Sequence, residues 1–209
     1  MTPTVNIAVL VSGNGSNLQA IIDSVKRGEI NAKIAAVVSN NPDAYALKRA
    51  ESAGIPVLVL ENGKFSNRRE YDLALVELLR SREVSLVLLA GFMRILSEVM
   101  VSAFPYAIMN IHPALLPAFP GLHAQMQAVE YGVRFSGCTV HFVDCGTDTG
   151  PIILQAVVPV KGDDTEESLS ARILVEEHRI YPEAVRLFTE GRLVVNGRRV
   201  TVSSSRNIP

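Results

Sequence analysis

The stretch MNIHPALLPAFPGLH, residues 109–123, packs two imidazoles, one carboxamide and three prolines into fifteen positions. That composition suits neither a long helix nor an ordinary strand. Asn110 and His112 stand at i and i+2, so on an extended segment their side chains project from one face and can reach a common substrate atom. An amide N–H placed there polarises a carbonyl and stabilises its developing oxyanion, while an imidazole moves protons near neutral pH. The same pair also suits an Asn turn beside a hydrogen-bonded histidine and a proline. A carboxylate would extend the set. The segment DCGTDTGPI offers two, Asp144 and Asp148, in a Gly-rich loop after the strand-like run that carries His141, and spacing does not choose between them. Taken singly, His123 and His141 read as structural.

A second candidate is SGNGSN, Ser12 to Asn17, which joins the end of an apolar run to the start of a helical pattern. Open α/β sheets bind ligands at such a junction. Glycines let the backbone approach an anion, and the N–H groups of a helix N-terminus, with the Ser16 hydroxyl, can donate to a phosphate. A side chain at Gly15 would stand where backbone and anion meet. The loop is not Gly-x-Gly-x-x-Gly and lacks a Walker lysine, which weighs against dinucleotides and nucleoside triphosphates. The plainer reading is a strand-to-helix turn capped by Ser16 or Asn14.

The elements that must position these residues follow from hydrophobic periodicity. VNIAVLV, KIAAVVSN, PVLVL and VSLVLLAG are apolar throughout, as strands buried on both faces are. Helical patterns separate them: LQAIIDSVKRG, PDAYALKRAESAG and NRREYDLALVELLRSR. Strands buried on both faces and alternating with helices imply a mostly parallel central sheet with helices on both faces. After Gly91 the order changes to a short helix near 97–102, a strand into AIMNIH, the Pro-rich loop and a helix near 123–131. FSGCTVHFVD and PIILQAVVPV then read as antiparallel strands. A long helix over TEESLSARILVEEHRIYPEAVRLFTEG opens with a cap of the Thr-x-x-Glu type, and RLVVNGRRVTV forms a hairpin around Asn196-Gly197. The expected architecture is α/β: a single Rossmann-like domain over 1–209, with a nucleotide-binding half to about residue 100 and an antiparallel C-terminal portion from about 101.

With 209 residues, 48% of them hydrophobic and 20% charged, the chain has the composition of one globular domain with a substantial core. A formal charge of −1 and a pI near 6.4 give no global attraction for nucleic acid or anionic lipid, so phosphate recognition must be local. No apolar run approaches the roughly 20 residues of a membrane span, and no signal-peptide pattern stands at the start, so a cytoplasmic location is expected. Cys138 and Cys145 lack the paired spacing of a zinc or redox site and read as structural thiols, with no metal expected.

Read together, VLVSGNGSNLQAII, LAGFMRIL, MNIHPALLPAFPGLH, TVHFVD and DTGPIILQ resemble the phosphoribosylglycinamide formyltransferase family in its monofunctional form, in order from about residue 5 to 190. The Asn-x-His with its Leu-Leu-Pro tail is specific to folate-dependent formyl transferases and hydrolases. SGNGSNLQ and HPALLPAFPGLH point to the branch acting on glycinamide ribonucleotide.

The resemblance implies formyl transfer from 10-formyltetrahydrofolate, as co-substrate, to the amine of glycinamide ribonucleotide in purine synthesis, by a monomer or homodimer that uses neither nucleic acid nor membrane. It implies a catalytic trio of Asn110, a protonated His112 and Asp148, the last because DTGP matches the family's Asp-x-Gly-Pro. Gly13, Asn14, Gly15, Ser16 and Asn17 match its substrate phosphate loop, and Glu177 matches a carboxylate at the glycinamide end. Met93, Arg94, Ile95 and Leu96, with Asn110, match the folate pocket, and Arg68 or its neighbour Arg69 matches a basic residue near the substrate or folate tail. Three positions depart from the pattern: Ala114 where Ser is common, Ala118 where Lys is common, and Leu174 in place of a polar residue. The prolines at 113, 117 and 120 would hold the Asn and His in one arrangement at low entropic cost. Two other readings of the same residues are a formyltetrahydrofolate hydrolase and a non-catalytic nucleotide-binding module.

Overall fold

The computed structural model describes residues 4–204, which divide into two compact units with the boundary between Met109 and Asn110.

In the first unit, β1 (Val5–Val11), β2 (Ala32–Ser39), β3 (Val57–Val59) and β4 (Leu86–Leu89) lie in the order β3-β2-β1-β4, every neighbouring pair parallel. Ile7 to Val11 and Leu86 to Leu88 are wholly buried, which is why their sequences show no alternation. The helices α1 (Ser16–Lys26), α2 (Tyr45–Ser52) and α3 (Arg68–Arg80) turn apolar stripes inward, Leu18, Ile21 and Ile22 on α1 and Tyr71, Leu75 and Leu79 on α3. The chain steps outward from β1 to β3 and then returns past β1 to β4. Right-handed crossovers therefore put α1 and α2 on one face and α3 on the other. This reversal makes the carboxyl ends of β1 and β4 a topological switch point, where a crevice must open. The loops leaving it are 12–15 and 90–97, the second leading into α4 (Glu98–Ala103).

Asn67 caps α3 by accepting from the Glu70 N–H at 2.9 Å, a contact of the kind that contributes about 1 kcal/mol. β3 is shorter than the run PVLVL suggests, and α2 starts at Tyr45 rather than near Pro42.

The strand β5 (Ile108–His112) runs across the boundary. In the second unit, β6 (Phe135–Phe142) and β7 (Ile152–Pro159) pair antiparallel, β9 (Arg199–Val202) joins β7 in parallel, and β8 (Leu193–Asn196) pairs antiparallel with β9 through the expected Asn196-Gly197 turn. Helix α5 (Ala124–Tyr131) follows the Pro-rich loop, and α6 (Glu166–Thr189) packs on β6 and β7. Thr165 opens α6 with a reciprocal capping box, but its partner three residues on is Ser168 where the Thr-x-x-Glu pattern has a carboxylate. Among the described residues no helix is long and apolar enough to cross a membrane.

Candidate functional site

Asn110 and His112 occupy alternate positions of β5, as the i, i+2 spacing requires, and the second unit brings Asp148 and His141 to them. His112 is 4% exposed and His141 1% exposed. The His112 Nδ1 lies 3.4 Å from Asp148 Oδ2, and the His141 Nε2 lies 3.6 Å from Asp148 Oδ1. His112 Nε2 is 2.8 Å from the Phe119 carbonyl oxygen, so it carries a proton and donates it there. His141 Nδ1 lies 2.9 Å from the Phe142 carbonyl oxygen, and its Nε2 lies 3.2 Å from Asn110 Nδ2.

Two opposed effects set the charges. Burial pushes the His112 imidazole below the ordinary histidine range, against the Phe119 carbonyl and the Asp148 charge, which favour the cation. Burial thus favours the neutral ring over the cation. Its free Nδ1 faces a carboxylate. Burial works to raise the Asp148 carboxyl, but His141, the Gly121 N–H and the nearby imidazoles outweigh it and hold the group below its usual value. Asp148 thus favours its anionic form, 3.4 Å from His112 Nδ1.

The loop that presents Asp148 is strained and closely packed. Asp148 has φ +53°, a left-handed conformation uncommon for a residue with a side chain. A Cβ on Gly150 would lie 1.7 Å from the Phe142 carbonyl oxygen, so glycine is obligatory there. Asp144 spends one carboxylate oxygen on the Gly146 N–H at 3.0 Å and the Thr149 hydroxyl at 2.7 Å. The two aspartates that spacing left open thus differ in place: Asp144 ties the loop, and Asp148 faces the imidazoles. Asp148 Oδ2 also accepts from Gly121 N–H at 2.8 Å, which ties the Pro-rich loop to the carboxylate.

Within that loop, buried Thr139 of β6 donates to the Ala114 carbonyl at 2.7 Å and accepts from Leu116 N–H at 3.0 Å. Loop order thus comes from β6 as well as from the prolines. Ala114 is fully buried. Glu177, 7% exposed on α6, lies beside Cys138 of β6, whose thiol is pushed up to about 12 by burial and then by the Glu177 and Glu176 charges. Leu174, one turn earlier on α6, is half-buried.

In the first unit, the loop of Gly13 to Asn17 ends in α1, whose N-cap is Gly15 at φ +75° with no side-chain cap. The reading of Ser16 or Asn14 as a cap is therefore wrong: the amides of the first turn are presented by a glycine, and no acidic residue stands in that turn. Such an end attracts anions. A Cβ on Gly15 would lie 2.5 Å from Ala46 Cβ, whereas one on Gly13 would meet nothing within 4 Å. Gly15 is thus required by packing on α2, whatever it does for a ligand.

Arg49, which sequence reasoning missed, donates from Nε to the Asn14 carbonyl and from a terminal nitrogen to Asn14 Oδ1, both at 2.9 Å. No local motif marks it, because its partner is 35 positions away. His141 was similarly passed over as structural, since its partners arrive only when β5 and β6 are placed.

Met93 and Ile95 are exposed, at 67% and 58%, whereas Leu96 is buried. The Arg94 guanidinium stacks over Tyr71 at 4.2 Å from the ring centre. Arg68 and Arg69 both line an open cleft of about 690 Å³ together with Asn67, Ser97, Glu98, Val99 and Ser102. Both arginines therefore qualify as the basic residue of that region. Among the described residues, no group of three or more His, Cys, Asp or Glu side chains is arranged to hold a metal ion.

A doubly wound sheet with an anion-attracting loop at its switch point, accompanied by two buried imidazoles beside a half-buried amide and carboxylate, defines an α/β protein equipped for oxyanion and proton-transfer chemistry. The formyl transferase family matches residues 5–185, and the chain belongs to that family. It is 46% identical over 204 residues to the phosphoribosylglycinamide formyltransferase of Escherichia coli K12, covering 98% of this chain and 96% of that protein. It is also 48% identical over 192 residues to the trifunctional purine biosynthetic protein adenosine-3 of Drosophila melanogaster, covering 91% of this chain but spanning only 14% of that protein. The crystal structure of glycinamide ribonucleotide transformylase 1 from Symbiobacterium toebii superposes with a TM-score of 0.95 at 55% identity, over 96% of this chain and 95% of that one. A formyltetrahydrofolate deformylase from Pseudomonas syringae superposes with a TM-score of 0.89 at 25% identity, over 97% of this chain and 67% of that one.

Proposed function

We propose that the protein is a phosphoribosylglycinamide formyltransferase of the cytoplasm, active as a monomer or homodimer, which moves the formyl group of 10-formyltetrahydrofolate to the amine of glycinamide ribonucleotide. The observation that carries the reading is the cluster of Asn110, the buried His112 and His141, and Asp148, gathered around one carboxylate, in a chain with family-level similarity over most of its length.

In this reading the amine nitrogen attacks the formyl carbon and a C–N bond forms. The carbonyl oxygen becomes an oxyanion, held by the second N–H of the Asn110 amide and by His112. Asp148 accepts the proton lost by the attacking amine and hands it to His112 Nδ1, 3.4 Å away, so that the ring becomes a cation beside the oxyanion and the restored Asp148 anion offsets the cost of burying the new charge. That proton passes to the folate nitrogen as its bond to carbon breaks, giving tetrahydrofolate and the formylated ribonucleotide. No metal and no covalent enzyme intermediate takes part.

The loop Gly13, Asn14, Gly15, Ser16 and Asn17 receives the ribonucleotide phosphate through first-turn amides of α1, and Glu177 holds the glycinamide end. The exposed Met93 and Ile95 and the backbone of Arg94 and Leu96 fit a flat heterocycle, and Arg68 or Arg69 fits a carboxylate tail. A formyl-transfer assay with and without ribonucleotide tests the function. The expected product is formylated ribonucleotide, with turnover strongly dependent on the amine. Formate released at one rate in both mixtures would instead establish the hydrolase, which shares a fold with the deformylase relative.

A further inference from the structure

We propose that Ser12 is a positioning residue that couples the two substrates, its hydroxyl holding the stretch 91–96 while its own backbone opens the phosphate loop. This rests on the reading that loop 13–17 takes the ribonucleotide and stretch 93–96 takes the folate.

Ser12 directly follows β1 and so stands at the switch point between β1 and β4. Its N–H donates to the Gly91 carbonyl at 3.0 Å, which joins the ends of the two strands. Its hydroxyl donates to Asn40 Oδ1 at 2.6 Å and accepts from the Met93 N–H at 2.9 Å. The Asn41 amide reaches the Ser12 carbonyl at 3.4 Å. Commitment of the hydroxyl proton to Asn40 aims a lone pair at Met93, so the rotor is fixed by both partners. Met93 has little packing of its own, with its side chain mostly in solvent. At the other end of the stretch, the wholly buried Asp72 accepts from the Ser97 N–H at 2.5 Å, and Arg94 rests on Tyr71. The stretch is thus pinned at its centre by the phosphate-loop side and at its end by α3.

Binding at loop 13–17 limits the positions open to Ser12, and Ser12 in turn limits those open to Met93. Linkage then requires the effect to run both ways, each ligand tightening the other by the same factor. Alanine at position 12 would leave the Met93 N–H without its acceptor and remove the link, without touching Asn110, His112 or Asp148.

Tetrahydrofolate and glycinamide ribonucleotide form a dead-end pair, since neither carries a formyl group. Titration calorimetry of tetrahydrofolate, with and without saturating ribonucleotide, therefore reads the coupling directly. In the native protein folate binds several-fold tighter when ribonucleotide is present. In Ser12→Ala folate alone binds about fivefold more weakly, as expected for loss of one net hydrogen bond, and the ratio falls to near one. In turnover the KM for formyl folate rises while kcat stays within about twofold. Asn40→Asp keeps an acceptor oxygen and retains native values, whereas Asn40→Ala shifts them toward those of Ser12→Ala. Should Ser12→Ala fail to fold, the Asn40 pair decides alone. Unchanged folate affinity and an unchanged ratio, in folded Ser12→Ala or in Asn40→Ala, overturn the proposal. Failure of the underlying reading looks different: Asn17→Ala would then leave ribonucleotide affinity native.

Discussion

The loop at 13–17 and the loop around Asp148 both follow sheet strands and both contain glycines, yet they are built on opposite principles. The first works through backbone: a Gly15 N-cap with no side-chain cap, the first-turn amides of α1, and Arg49 holding Asn14 from outside. The second works through side chains: buried imidazoles, an ionised carboxylate at a left-handed backbone position, and Gly150, which lets the Phe142 carbonyl approach. A backbone device binds a fixed charge and tolerates modest change. A side-chain device must hold protons at stated atoms, and each member depends on the others.

The contrast is sharpest under substitution. Asp148→Asn keeps a residue tolerant of positive φ but removes the anion opposite His112 Nδ1, and turnover should fall by a hundredfold or more. His112→Ala should do the same, and steady-state kinetics with a melting curve check both. Near-native turnover in either would end the assignment of proton transfer to this cluster. His141→Ala should cost about tenfold or more in kcat with KM little changed, because Asn110 and Asp148 both lose the ring nitrogen that holds them in place. A loss confined to stability would make His141 a packing residue instead.

The backbone device should give less. Arg49→Lys keeps a cation but not the fork on Asn14, and should weaken ribonucleotide binding severalfold with kcat nearly native. Gly13→Ala adds a methyl group to open space, so any loss of ribonucleotide affinity there reports on the ligand. Gly15→Val cannot serve this purpose, since its side chain strikes Ala46 before any ligand arrives. Calorimetry on these variants separates the cases.

The smallest effect concerns pH. An unfolded histidine titrates near 6.5, and burial holds His112 lower in the fold. Below that pH the unfolded chain takes up a proton that the native ring resists, so stability falls as pH drops through the unfolded value toward the folded one. Asp148 has the ordinary carboxylate sign: its contribution is present above the unfolded aspartate value, near 3.8, and is lost as pH falls below it toward the depressed folded value. Acid unfolding of His112→Gln should lack the first stage and keep the second, read from denaturation midpoints across pH.

How much of this the sequence discloses depends on the range of the contacts. Unbroken apolar runs gave the parallel strands of the first unit, and the Asn196-Gly197 pair gave the hairpin, because both signals are local. The i, i+2 spacing put Asn110 and His112 on one face for the same reason. Local spacing could not choose between Asp144 and Asp148, since the choice rests on a left-handed backbone and on imidazoles from other strands; the family pattern preferred Asp148. Arg49, His141 and the Ser12 to Met93 contact escaped entirely, as each joins residues 31 or more positions apart. The balance of effects on the His112 charge was not legible either, because burial is a property of the packed fold.

The Arg49 fork has a consequence in chemical ageing. The chain contains three Asn-Gly pairs, at Asn14, Asn62 and Asn196, the sequence at which an asparagine side chain is most readily attacked by the next backbone nitrogen and converted to aspartate or its iso form. Asn62 and Asn196 are exposed in a short 3-10 turn and at a hairpin tip. Asn14 has both its side-chain oxygen and its carbonyl held by one guanidinium, which resists the side-chain rotation that attack requires. Stored protein should therefore gain negative charge first at the two turns, and the loop where a new carboxylate would repel a phosphate should be the last of the three to change.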